Sequence, residues 1–95
     1  MRLELSRRAQ SDLDDIRDYS VEHFGTARAI LYLDAIEQAF RRILSHPEIG
    51  VPMPDLAVRL RSVPVGEHRL FYRADGDRVF IVRILHKAMD VMRHL

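Results

Sequence analysis

The chain has 95 residues, 47% hydrophobic and 31% charged, which suits one soluble globular domain over 1–95 with a single core. No apolar run approaches the roughly 20 residues a membrane-spanning helix needs. Arg7, Arg8, Asp12, Asp14 and Asp15 interrupt any signal-peptide core, so the sequence reads as cytoplasmic and without a membrane partner. The absence of cysteine excludes disulfides, thiolate metal ligands and a cysteine nucleophile. The net charge of +1 is unevenly spread: residues 1–48 hold seven Lys/Arg against nine Asp/Glu, and residues 49–95 hold eight against five. The basic C-terminal half favours an acidic partner segment or a phosphate backbone.

In chain order, Leu3 and Leu5 alternate with Arg2 and Glu4, as in a short half-buried strand. Ser6 reads as a helix N-cap, and Ala9, Leu13, Ile16, Tyr19, Ser20 and Phe24 follow with helical spacing, while Asp12, Asp14, Asp15, Asp18 and Glu22 mark a solvated side. Gly25 stops this helix and Thr26 opens a second, whose inner face is Ala29, Ile30, Leu33, Ile36, Ala39 or Phe40, Ile43 and Leu44, ending before His46-Pro47. The pair predicts a helical hairpin. Pro47, Gly50, Pro52 and Pro54 mark an irregular connection to about Asp55. Leu56, Val58 and Leu60 then alternate with Ala57, Arg59 and Arg61, predicting a strand that turns its arginines away from the helices, and Pro64-Val65-Gly66 predicts the next turn.

Arg69 to Ala74 and Arg78 to Leu85 flank Asp75-Gly76 and predict a β-hairpin. Val79, Ile81 and Leu85 share one parity and Phe80, Val82 and Ile84 the other, so both faces of its second strand are apolar and both require cover. Lys87 to His94 predicts a short final helix. The order β-α-α-β-β-β-(α) implies a two-layer α+β fold: an N-terminal strand and a long helical hairpin packed on an antiparallel sheet.

Arg61, Arg69, Tyr72, Arg83 and His86 all fall on the predicted C-terminal strands. Arginine forks grip phosphate or carboxylate, histidine moves protons near neutral pH and tyrosine stacks on bases, so this set suits RNA cleavage or binding. The competing interpretation makes the arginines solubilising, Tyr72 a core residue with its hydroxyl at the rim, and His86 an ordinary strand end. His23, His46, His68, His86 and His94 lack metal-ligand spacing such as HExxH, so neither a metal nor a cofactor is expected. Met89 and Met92, with Val91 and Leu95, form an apolar stripe that either packs the tail onto the sheet or offers an adaptable binding edge.

Leu5-Ser6 with Ala9, Asp12-Leu13, Ile16 and Tyr19, then Ala29, Tyr32, His46-Pro47-Glu48-Ile49-Gly50, Leu60-Arg61, Arg69-Leu-Phe-Tyr72-Arg73 and Arg83-Ile-Leu-His86 with Asp90, resembles the ParE branch of the RelE/ParE toxins over essentially the whole chain. The resemblance implies a bacterial type II toxin neutralised by a cognate ParD-like antitoxin, a DNA-binding ribbon-helix-helix dimer whose C-terminal segment wraps the toxin. ParE-like members poison DNA gyrase and RelE-like members cleave mRNA on the ribosome. Nuclease members carry a glutamate in a Pro-Glu-Pro loop, where this chain has Pro52-Met53-Pro54; only Arg69 and His86 match that set. Arg59 and Arg61 survive from a second nuclease set, but Ala88 and Met89 follow His86-Lys87 and no tyrosine lies beyond Tyr72. Met89 also stands where the ParE branch often has arginine.

The resemblance therefore implies a non-enzymatic gyrase inhibitor, touching DNA only through the antitoxin or gyrase complex. Arg61, Arg69, Arg83, His86, Lys87 and Arg93 are the target-binding candidates. Phe71, Arg73, Val79, Ile81, Leu85, Met89 and Met92 are the antitoxin-binding candidates. In the alternative, a ribosome-dependent endoribonuclease, Arg61, Arg69 and His86 are the catalytic set.

Overall fold

A computed structural model describes residues 1–53 and 59–95. Strand β1 (Arg2–Leu5) leads into helix α1 (Arg7–Phe24) and helix α2 (Thr26–Ser45); strands β2 (Val51–Pro52), β3 (Arg61–Val65), β4 (His68–Asp75) and β5 (Arg78–His86) follow, and helix α3 (Val91–His94) ends the chain. The sheet order is β1-β5-β4-β3-β2. Among the described residues the helical hairpin, the β-hairpin, its position in the chain and the short last helix agree with the sequence.

The N-terminus of α1 has a clear cause. Ser6 stays extended and its hydroxyl accepts the Ala9 N–H at 2.9 Å, satisfying one of the orphan donors of the first turn. The same hydroxyl donates to the Val82 carbonyl at 2.7 Å, so the cap also ties α1 to the edge of β5. Gly25, at φ 85°, accepts no side-chain penalty at the joint between the helices and donates its N–H to the Val21 carbonyl. Ala9, Ile16, Ile36, Ala39 and Ile43 then face Val63, Val65, Leu70, Tyr72, Val79, Ile81 and Ile84 in one core.

Two features differ from the expected antiparallel sheet. β1 runs parallel to β5, with Leu3 opposite Val79 and Leu5 opposite Ile81, so the sheet is mixed. A parallel pair needs a crossover, and the two helices with the strands after them supply it. Between Phe71 and Tyr72 the register with β5 shifts, Phe71 facing Arg83 and Tyr72 facing Ile81, which leaves Val82 as the extra residue of a bulge. The bulge resolves the double apolar pattern: Val79 and Ile81 before it and Ile84 after it all join the same core. Phe71 and Leu85, on the opposite face, are buried by the chain itself at 1% and 2% exposure.

Of the strand expected from Leu56 to Arg61, the first three residues lie outside the described residues. The strand begins at Arg61, and Pro64-Val65 belong to it; the turn is Gly66-Glu67. Pro64 is tolerated because β2 pairs only with Arg61 and Ser62, leaving the rest of β3 as a sheet edge. The displaced register reverses one expectation. Arg61 is opposite Tyr72, on the helix-covered face, not turned away from the helices.

Candidate functional site

Cross-strand partners share a face, so the registers sort the arginines directly. Arg61 pairs with core residue Tyr72, and His86 with His68 in line with Val65, on the helix side; Arg69 pairs with Leu85, and Phe71 with Arg83, on the other. The nuclease candidates Arg61, Arg69 and His86 are therefore divided between the two faces of the sheet and do not converge. Each also has structural employment. Arg61 donates from Nη1 to the carbonyls of Glu48 at 3.0 Å and Gly50 at 2.8 Å, Arg69 donates from Nε to Ser62 Oγ at 3.0 Å, and His86 Nδ1 accepts the Ala88 N–H at 3.1 Å. Met53 donates its backbone N–H to Leu60 and offers no carboxylate.

Tyr72 anchors the loop that Arg61 braces. Its buried hydroxyl donates to the Pro47 carbonyl at 2.7 Å and accepts the Gly50 N–H at 2.9 Å. A Cβ on Gly50 would stand 2.6 Å from that hydroxyl, so glycine is required for close approach. Tyr72 is a core residue as the competing interpretation has it, but its hydroxyl lies buried against the loop and not at the rim.

Arg83, a target-binding candidate, is instead committed inside the molecule. Its Nε and Nη2 each donate to Asp12 of α1 at 2.8 Å, with the two side chains only 12% and 13% exposed. The hydrogen bonds to Asp12 hold the guanidinium protonated against its partial burial. Asp12 thus leaves the solvated acidic side of α1 predicted from the sequence. Of the other target-binding candidates, Lys87 pairs with Glu67 at 2.7 Å and is well exposed, and Arg93 is more exposed still. Lys87 holds the Glu67 carboxyl below its ordinary range by hydrogen bond and charge.

The antitoxin-binding candidates also divide. Val79 and Ile81 are core residues at 0% exposure, and Phe71 and Leu85 on the opposite face are buried as well, so these four present no open surface. Arg73 is exposed over the Phe80 ring, 5.0 Å from its centroid. Met89 and Met92 are open to solvent.

A groove that the sequence did not reveal runs between the tip of the helical hairpin and the β3–β4 turn. It encloses about 570 Å³ and is lined by Tyr19, Phe24, Leu31, Tyr32, His68 and His86 among others. Tyr19, Phe24 and Ile30, expected on inner helix faces, are exposed by more than half, and Leu31 reaches 68%. The apolar spacing that marks a core face is identical to that of a docking face, so periodicity alone does not separate them. At the groove floor the Tyr32 hydroxyl donates to the Val65 carbonyl, accepts the Glu67 N–H at 3.0 Å, and lies 2.6 Å from His68 Nδ1. His68 packs edge-on to His86, ring centroids 5.3 Å apart, and burial, then the His86 charge, lower its pKa. Gly66, at φ 56°, leaves room for the Tyr32 ring, which a Cβ would meet at 2.6 Å. A second, smaller cavity continues along α1 past Asp15, Ile16 and Met89.

Among the described residues no three His, Asp or Glu are grouped to hold a metal ion, and no helix is long and apolar enough to cross a membrane. What the arrangement offers is surface for a macromolecule: an apolar groove with two imidazoles, beside an exposed tail carrying two methionines and two cations.

Comparison with known proteins agrees over the whole fold. Residues 3–91 match the family described as the ParE toxin of the type II toxin–antitoxin system parDE. The chain is 41% identical over 91 residues to Toxin ParE1 of Caulobacter vibrioides, covering 96% of this chain and 94% of that one. It is 36% identical over 92 residues to Toxin ParE1 of Mycobacterium tuberculosis, again covering 96% and 94%. Among solved structures, a chain of the chromosomal ParDE system from P. aeruginosa superposes with a TM-score of 0.77 at 24% identity over 90% of this chain and 95% of that one. A YoeB/ParE toxin from Agrobacterium tumefaciens gives 0.62 at 20% identity, covering 90% and 98%, and at that identity both structures speak for the fold alone. With near-complete coverage in both directions and identities of 41% and 36%, the chain belongs to the ParE family of toxins of type II toxin–antitoxin systems.

Proposed function

We propose that this ParE-family toxin acts in the cytoplasm as a non-enzymatic inhibitor of DNA gyrase and is held inactive by a cognate ParD-like antitoxin, itself a ribbon-helix-helix DNA-binding dimer. The observation that carries the choice between targets is the division of Arg61, Arg69 and His86 between the two sheet faces, with Met53 where a nuclease of this superfamily has its glutamate. General acid–base cleavage of RNA needs its groups within hydrogen-bond reach of one phosphate, and these are not. A gyrase poison needs a binding surface, for which exposed Lys87, Met92 and Arg93 suffice, with Arg61, Arg69, Arg83 and His86 supporting the strands and loop behind them.

For the antitoxin, the groove at the tip of the helical hairpin is the best seat. Tyr19, Phe24 and Leu31 present apolar surface there, and Met89 extends it along α1. An amphipathic helical segment laying its apolar face into a groove uses this geometry. Arg73 and Met92 are the remaining exposed candidates for that contact.

Expression without antitoxin distinguishes the two targets. Mapping of mRNA 5′ ends after induction is expected to give no new ends within translated messages while plasmid supercoiling falls. New in-frame cleavage sites at unchanged supercoiling would refute the gyrase assignment.

A further inference from the structure

Beyond residue Lys87 the chain has little to hold it. Helix α3 spans only Val91–His94, far too short to persist alone. Its own bonds are local: Asp90 caps it through the Met92 N–H at 3.1 Å, and Leu95 N–H donates to the Val91 carbonyl. Among the described residues, the one hydrogen bond that joins residues 90–95 to the body runs from Arg83 Nη1 to the His94 carbonyl at 2.6 Å. That carbonyl is one of the groups a helix C-terminus leaves unpaired, and it takes a cation well.

Arg83 reaches it only because its other two arms are fixed. Nε and Nη2 form a fork on the Asp12 carboxylate, and Asp12 Oδ2 also accepts the Ile84 N–H at 2.9 Å. Asp12 therefore receives three donors from β5 just past the bulge at Val82, where β1 no longer pairs with that strand. The partly buried fork leaves the guanidinium one orientation, with its third nitrogen directed at the tail.

We propose that Asp12 is a positioning residue for toxicity: acting through Arg83, it holds the C-terminal tail in a single orientation so that Met92 and Arg93 meet the target together. The proposal rests on the gyrase assignment for its functional half and on geometry alone for its structural half. Asp12 itself lines the cavity beside α1, and its role in the tail runs through Arg83. Its effect is to convert a frayed terminus into a presented element, reducing the ordering cost on binding.

The test uses the full chain carrying Asp12→Asn, whose amide oxygen still accepts the Ile84 N–H but cannot take the arginine fork. Arg83→Lys is the second variant, since one ammonium pairs with Asp12 without also reaching His94. Asp34→Asn, on the exposed side of α2, is the charge-matched control. Backbone NMR order parameters of residues 91–95 are expected to fall from about 0.8 to below about 0.6 in both variants while β4 and β5 remain rigid. Inhibition of gyrase is expected to weaken about tenfold at full occupancy of the folded state, with the control unchanged, a loss of ~1.4 kcal/mol in target affinity. If both variants keep a rigid tail, Asp12 does not position it and the proposal is overturned. A mobile tail with unimpaired inhibition equally overturns the functional role. If the unmutated chain leaves gyrase active, the gyrase assignment fails, and the order parameters still decide whether Asp12 holds the tail.

Discussion

At the level of single residues, the most constrained point is the contact of Tyr72, Gly50 and Arg61. Tyr72→Phe removes the hydroxyl that serves the Pro47 carbonyl and the Gly50 N–H, which should cost about 1–3 kcal/mol. Gly50→Ala forces a methyl against that hydroxyl and should cost about as much. Tyr72→Phe relieves the hydroxyl contact but not those with Tyr72 Cε1 at 2.7 Å and Arg61 Cβ at 2.9 Å, so the double variant should fall only partly short of the sum, and urea unfolding of the four proteins reads the coupling. His68 supplies a pH dependence. Its pKa in the folded chain lies below the unfolded value of about 6.5, so the unfolded state binds the proton more readily and stability falls as pH drops below that value. Denaturation at pH 7.5 and pH 5 should show this loss, and His68→Asn should reduce the slope; an unchanged slope would exclude His68 as its source.

At the level of elements, Ser6 does two jobs, capping α1 and bonding the Val82 carbonyl, so Ser6→Ala should cost at least the ~1 kcal/mol of an ordinary cap, measured as a shift in denaturation midpoint. The two long helices were legible because 3.6-residue spacing, Ser6, Gly25 and His46-Pro47 all agree locally. The hairpin from His68 to His86 was legible for the same reason, Gly76 at φ 64° making its turn. The parallel pairing of β1 was not, because partner choice is a long-range property that Leu3 and Leu5 do not encode by themselves. Nor was the bulge at Val82: it carries Ile84 onto the face of Val79 and Ile81 and leaves Leu85 buried on the other, so strict alternation does not assign the faces of this strand. Asp12 looked solvated since Asp14, Asp15 and Asp18 surround it in sequence, while its partner Arg83 lies on the far strand. The groove is illegible for a further reason, that Tyr19 and Phe24 fit a core pattern equally well.

At the level of the whole molecule, the helical hairpin leaves apolar surface around its tip and the sheet leaves a short tail, with Met89 lining the cavity between them. Leu31 lines the groove and lies far from the tail in sequence, which predicts separable losses. Leu31→Glu, at an exposed groove position, should weaken antitoxin binding at least tenfold by calorimetry while leaving the fold and gyrase inhibition intact; equal binding would move the antitoxin off the groove. Gyrase-mediated DNA cleavage with the purified toxin tests the proposed gyrase assignment: linear DNA from cleaved complexes should accumulate with toxin dose and disappear when antitoxin is added first. Undiminished supercoiling with no cleaved complex, at toxin in molar excess over gyrase, would contradict it.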